Sequence, residues 1–106
     1  MNARIASIIT ELRREFNALY GERLVMVVLF GSHARGDDVP GSDVDLLVVL
    51  RGPVRPGAEI QRTGPSKAKL CLKYGEVVST TFISAQRYET ERSPLLLNVR
   101  REGVSV

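Results

Sequence analysis

Seven consecutive apolar residues, Leu24 to Phe30, run without alternation and stop at Gly31. A strand with one wet face would carry a polar residue at every second position, so this run reads as a strand covered on both faces. It is far shorter than the roughly 20 apolar residues needed to cross a membrane as a helix. Helices layered on a sheet follow as the fold class, α/β or α+β. At 106 residues the expected organisation is one domain, residues 1–106, around one core.

The flanking segments agree with that layering. Between Ala3 and Tyr20 the apolar residues Ile5, Ile8, Ile9, Leu12, Phe16 and Leu19 recur at three- and four-residue steps, predicting an amphipathic helix ended by Gly21. Residues Gly36 to Ser42 are dense in turn formers, and Asp43 to Leu50 then reads as a second buried strand with two aspartates at its start. Thr63-Gly64-Pro65 interrupts the helical pattern of Ala58 to Tyr74, so a short turn is expected there, followed by a helix from Ser66 to Lys73 closed by Gly75. Val77 to Ile83 is rich in β-branched residues and predicts a third strand. Ser93-Pro94 supplies an N-cap with proline at the first helical position, opening a short helix that Gly103 ends.

Composition narrows the function classes. With 43% hydrophobic and 25% charged residues the chain is ordinary for a folded protein. The formal charge of +3 suits an anionic ligand or an acidic partner, and is equally common on solvated surfaces. Cys71 is the single cysteine, which forbids an internal disulfide and fits a reducing compartment. No charged-then-apolar leader is visible, and a cytoplasmic protein with no membrane partner is expected.

The chemistry is carried by two short segments. Residues i and i+2 of a strand face the same way, so Asp43 and Asp45 project their carboxylates side by side. Two like charges so close repel and lose hydration, and a Mg²⁺ held by both carboxylates and by substrate phosphates removes the conflict. The metal candidates are therefore Asp43 and Asp45. Gly31 permits a sharp exit from the first strand and a close approach of backbone to ligand. Ser32 offers a hydroxyl and an amide to a phosphate oxygen, and Arg35 a fork-shaped donor for the triphosphate.

Gly31-Ser32, ten residues, then Asp43-x-Asp45, with Ala34-Arg35-Gly36 and the apolar run Leu46 to Leu50, closely resembles the minimal nucleotidyltransferases of the DNA polymerase beta superfamily. The likeness continues through Leu70 to Gly75 and Ser93 to Gly103, which resemble later segments of the antitoxin branch of that family. The resemblance implies a small mixed β-sheet backed by helices, with Gly31, Ser32 and Arg35 binding nucleotide and Asp43 and Asp45 catalytic through Mg²⁺. It further implies transfer of AMP from ATP to a hydroxyl, a tyrosine of a cognate HEPN-type toxin usually encoded alongside. Direct nucleic-acid binding is not expected, and a homo- or hetero-oligomer is compatible with the size.

One position departs from the fullest family pattern. Many members carry a third carboxylate on the strand equivalent to Val77 to Ile83, and Ser79 aligns with it. Serine is neither a strong base nor an anchor for a second metal. Either the two aspartates suffice for one nucleotide-bound Mg²⁺, or a partner supplies an acid, or Glu76, Asp37 or Asp38 reaches the site. The rival reading is an antitoxin that neutralises its toxin by binding only, and a third is a small-molecule or RNA-end transferase completed by a neighbouring copy. The family motif leaves the position of His33 variable, and no role is assigned to it. Lys67, Lys69 and Lys73 read as a solvated face, Tyr74 as packing, and Leu95 to Val99 as a cap on the core or a patch for another chain.

Overall fold

The computed structural model describes residues 2–106. Helix α1 spans Ala3–Tyr20, capped by the Asn2 side chain, which accepts from the Ile5 amide, and a 3₁₀ turn over Gly21–Arg23 leads into strand β1, Leu24–Phe30. A single turn, α2 (Ser32–Arg35), and a loop deliver the chain to β2, Val44–Leu50. Helix α3 (Pro56–Tyr74), β3 (Val78–Ser84), α4 (Ala85–Thr90), α5 (Pro94–Glu102) and β4 (Val104–Ser105) complete it. The four strands lie in the order β3-β2-β1-β4, with β1 antiparallel to β2 and to β4, and β2 parallel to β3. This is the mixed sheet backed by helices that the resemblance implies.

The period-two rule divides each strand between two cores. Toward α1 and α3 point Val27 and Leu29 of β1, Val44, Leu46, Val48 and Leu50 of β2, and Val78 and Phe82 of β3, packed with Ile5, Ile8, Leu12, Phe16 and Leu70. Toward α5 point Val28, Leu47, Val49 and Ile83, packed with Leu96 and Val99. Gly103 lets the chain turn tightly from α5 into β4: a Cβ there would lie 2.4 Å from the Val99 carbonyl oxygen and 2.7 Å from Val28 Cγ1.

Several boundaries differ from the sequence expectation, and β3 is displaced by one residue, to Val78–Ser84. Helix α3 runs unbroken through Pro65. Gly64 lacks the Cβ that would collide with the proline ring, and Pro65 and Gln61 are exposed, so the carbonyl that loses its amide donor faces solvent. The ladder of β2 begins at Val44, leaving Asp43 just outside it. The short elements α4 and β4 have no counterpart in the sequence reading, because six- and two-residue segments carry too little periodicity to register. Lys69 and Lys73 face α1 and pair with Glu15 and Glu11, which makes them a bridge between helices rather than a free solvated strip. Among the described residues no helix is long and apolar enough to cross a membrane.

Candidate active site

Strand pairing places the first acid. Asp45 stands directly opposite Phe30, the last residue of β1, and beside Ser79 of β3 in parallel register. Its side chain therefore emerges on the α5 side of the sheet, at the end where β1 gives way to Gly31. The backbone of Gly31 has φ +77°, a left-handed value that disfavours any other residue, and a Cβ built on it would lie 2.3 Å from Asp45 Oδ2. The carboxylate rests in a cradle that a methyl group would fill. The glycine turn and the second aspartate of the motif are thus in contact, although fourteen positions separate them in the chain.

Asp43 is placed differently. It is exposed and precedes the ladder, which starts with the Val44 amide donating to the Val77 carbonyl at 2.8 Å. The two carboxylates nevertheless sense one another: partial burial raises the Asp45 pKa above its ordinary value, and the charge of Asp43 raises it further. His33 and Arg35 pull the other way. An acid pair strained in this manner fits a divalent cation, since a cation neutralises both members at once. Among the described residues no third His, Cys, Asp or Glu joins them in a metal-binding group. A cation held there needs further oxygen ligands, and substrate phosphates are one source of them.

The turn after Gly31 presents its amino end to the same place. The amides of Ala34 and Arg35 both donate to the Gly31 carbonyl at 3.1 Å, whereas those of Ser32 and His33 fall in the first turn and have no intrahelical acceptor. Arg35 sits on this turn, but its guanidinium is engaged, with Nε 3.1 Å from Asp37 Oδ2 and Nη1 3.1 Å from Glu102 Oε1. Contact with a triphosphate would require exchange of one of those carboxylates for a phosphate.

The acids considered as substitutes for the missing carboxylate are held elsewhere. Glu76 pairs with Arg4 of α1 at 3.0 Å, Asp37 with Arg35, and Asp38 lies 3.7 Å from His33 Nδ1. Ser79 is exposed on the flank of Asp45. His33, to which the sequence assigned nothing, is buried under the motif, and its Nε2 donates to the Ser42 carbonyl at 3.1 Å. The only sequence signal for it was its position inside the glycine motif. A depression of about 570 Å³ is lined by Gly52, Val54, Ser84 and Arg87 at the opposite end of β2, away from this chemistry.

Comparison with known proteins agrees with the geometry. A family model described as nucleotidyltransferase domain matches residues 9–95. A relative from Methanocaldococcus jannaschii, named a putative protein adenylyltransferase, is 29% identical over 102 residues, spanning 96% of this chain and 98% of the relative. A solved toxin–antitoxin structure with AMP-PNP contains a chain of similar fold, with TM-score 0.65 and 20% identity over 93% of this chain and 69% of that one. A tri-AMPylated Shewanella oneidensis HEPN toxin in complex with MNT antitoxin also matches, with TM-score 0.50 and 17% identity over 92% of this chain and 70% of that one. At those identities the solved structures establish the polymerase beta-like fold, and the family follows from the sequence match over most of the chain. With its glycine turn seated on the second aspartate of the pair, the chain belongs to the nucleotidyltransferase domain family.

Proposed function

We propose that this protein is a Mg²⁺-dependent protein adenylyltransferase that moves AMP from ATP to a tyrosine hydroxyl of a HEPN-type toxin and so acts as a cytoplasmic antitoxin. The observation that carries the reading is the contact of the Asp45 carboxylate with the Gly31 backbone, which brings a cation site and a phosphate-binding turn together. The names of the protein adenylyltransferase relative and of the AMPylated toxin complex support the acceptor class.

In this reading Asp43 and Asp45 hold the cation, and Gly31 and Ser32 hold the β- and γ-phosphates through backbone amides and a hydroxyl. Arg35 joins them by leaving Glu102 or Asp37. A bound Mg²⁺ supplies charge neutralisation and orients the α-phosphate. The acceptor oxygen forms a bond to that phosphorus as the bond to pyrophosphate breaks, and the acceptor proton is released. Positioning and electrostatics account for most of the acceleration in such transfers, so a dedicated base is not essential.

A second reading has one observation in its favour: Ser79 occupies the flank of Asp45, and Glu76 and Asp37 are engaged by Arg4 and Arg35. Under it, the protein silences its toxin by binding alone. Incubation with Mg²⁺-ATP and the toxin encoded beside it separates the two. Transfer adds one or more AMP units to the toxin's intact mass, and Asp43→Ala with Asp45→Ala abolishes the gain. A tight complex with unchanged mass selects the second reading.

A further inference from the structure

Asp45 lies within the sheet; Asp43 precedes it and is held there on one side only, where the Val44 amide donates to the Val77 carbonyl at 2.8 Å. Residues 36–43 leave α2 and return to β2 as a loop, exposed at every position except Ser42. Its internal hydrogen bonds are few: the Ser42 amide to the Val39 carbonyl at 2.9 Å, and the Val39 amide to Ser42 Oγ at 2.9 Å. These tie the far half of the loop to itself, while its near end is held to the motif by the Gly36 and Asp37 amides, which donate to the Ser32 carbonyl at 2.9 and 3.1 Å, and by Asp37 against Arg35.

At the far end, next to Asp43, a side chain of the motif makes the connection. The His33 side chain is 6% exposed, with Nε2 3.1 Å from the Ser42 carbonyl oxygen and Nδ1 3.7 Å from Asp38 Oδ2. A carbonyl only accepts, so Nε2 carries the hydrogen. Because the ring belongs to α2, its bond to the Ser42 carbonyl ties the far end of the loop to the turn that follows Gly31, and the residue after Ser42 is Asp43. The carbonyl it holds belongs to the peptide unit that leads into the aspartate.

We infer that His33 is the positioning residue that sets Asp43 against the Gly31-Ser32 turn, so that the metal pair is assembled by a sheet contact on one side and by a buried imidazole on the other. The inference rests on the nucleotidyltransferase reading for its ligand, but the clamp itself does not. Residues that orient metal ligands from behind typically change metal affinity or activity about 10- to 100-fold when removed.

The test compares His33→Gln with His33→Asn. The longer amide places its N–H close to where Nε2 stands and reaches the Ser42 carbonyl, whereas the shorter amide does not, and both are polar and similar in size. Without nucleotide, amide hydrogen exchange over residues 37–44 should quicken in His33→Asn and stay near wild type in His33→Gln, with the strand amides of β1 and β2 protected in both. With Mg²⁺ and AMP-PNP, titration calorimetry should find affinity lowered about tenfold in His33→Asn and restored in His33→Gln. Equal exchange and equal affinity in the two variants would overturn the inference, as would loop exchange unchanged from wild type in His33→Asn. If the wild-type protein binds no Mg²⁺-AMP-PNP while the exchange difference is present, the clamp stands and the nucleotidyltransferase reading is what fails.

Discussion

The two faces of the sheet are built from the same strands and end in opposite states. Helices α1 and α3, of 18 and 19 residues, are each about 27 Å long and outreach strands of about 23 Å. They close their face completely, and every β2 side chain directed at them is apolar and buried. Helix α5, with nine residues, is about 13 Å long. It covers Leu47 and Val49, while Asp45, farther along the same face, stays partly exposed. Asp45 and Ser79 occupy the uncovered end. The opening at this end is as much a part of the site as the aspartates are, because full cover would bury the acids without a partner, which is costly. Stability should reside on the closed face and chemistry on the open one.

That division can be broken by substitution. On the closed face, Phe16→Ala removes a fully buried ring and should cost about 3–5 kcal/mol in denaturant unfolding while the folded fraction keeps its affinity for Mg²⁺-nucleotide. An affinity loss larger than the stability loss would mean the faces are not separable.

At the junction of the two faces, Gly31→Ala should cost about 1–3 kcal/mol from its dihedral alone and displace the Asp45 carboxylate, abolishing nucleotide binding. The dihedral and steric parts can be separated in a double-mutant cycle. Combining Gly31→Ala with Asp45→Ala should recover the steric part and leave the dihedral part. A cycle with no coupling would show that the cradle contact carries no energy.

On the open face, Ser79→Asp places a third carboxylate beside Asp45 in register. Without divalent cation it should lower stability by about 0.2–1 kcal/mol at neutral pH, and Mg²⁺ with AMP-PNP should return more than is lost. Thermal melts with and without the cation measure both halves.

The smallest expected effect concerns Asp45 itself. Its folded pKa is raised, first by burial and then by Asp43, so the folded state binds the proton more tightly than the unfolded chain does. The resulting penalty is absent below the ordinary aspartate value of 3.8 and fully present above the folded pKa. Asp45→Asn should therefore raise the melting temperature at neutral pH in the absence of metal, and the gain should fade as pH falls toward that value. A gain independent of pH would assign the effect to packing instead of charge.

How much of this was legible in the sequence differs from element to element. The spacing of Ile5, Ile8, Leu12 and Phe16 located α1 to its exact bounds, and Ser93-Pro94 with Gly103 did the same for α5. Both signals are local, arising from helical periodicity and capping. Pro65 misled because its penalty depends on whether the lost hydrogen bond faces water, and solvent exposure is a tertiary property. Arg35 was read as a free phosphate donor, and folding brings Glu102 to it from 67 positions away. His33 was passed over because its partner, the Ser42 carbonyl, is a backbone atom that no residue type announces.

By itself the amino-acid order determined the three longer strands to within a residue and the chemical types at the site, since apolar runs, glycine turns and paired acids act through neighbours in the chain. Only the three-dimensional packing decided that Asp45 lies on Gly31, that Ser79 is its flank and that a buried ring holds the loop before Asp43. Those are facts of strand register and of contacts between residues far apart in the chain, and a one-residue slip in either pairing would have sent the same strand side chains to the closed face.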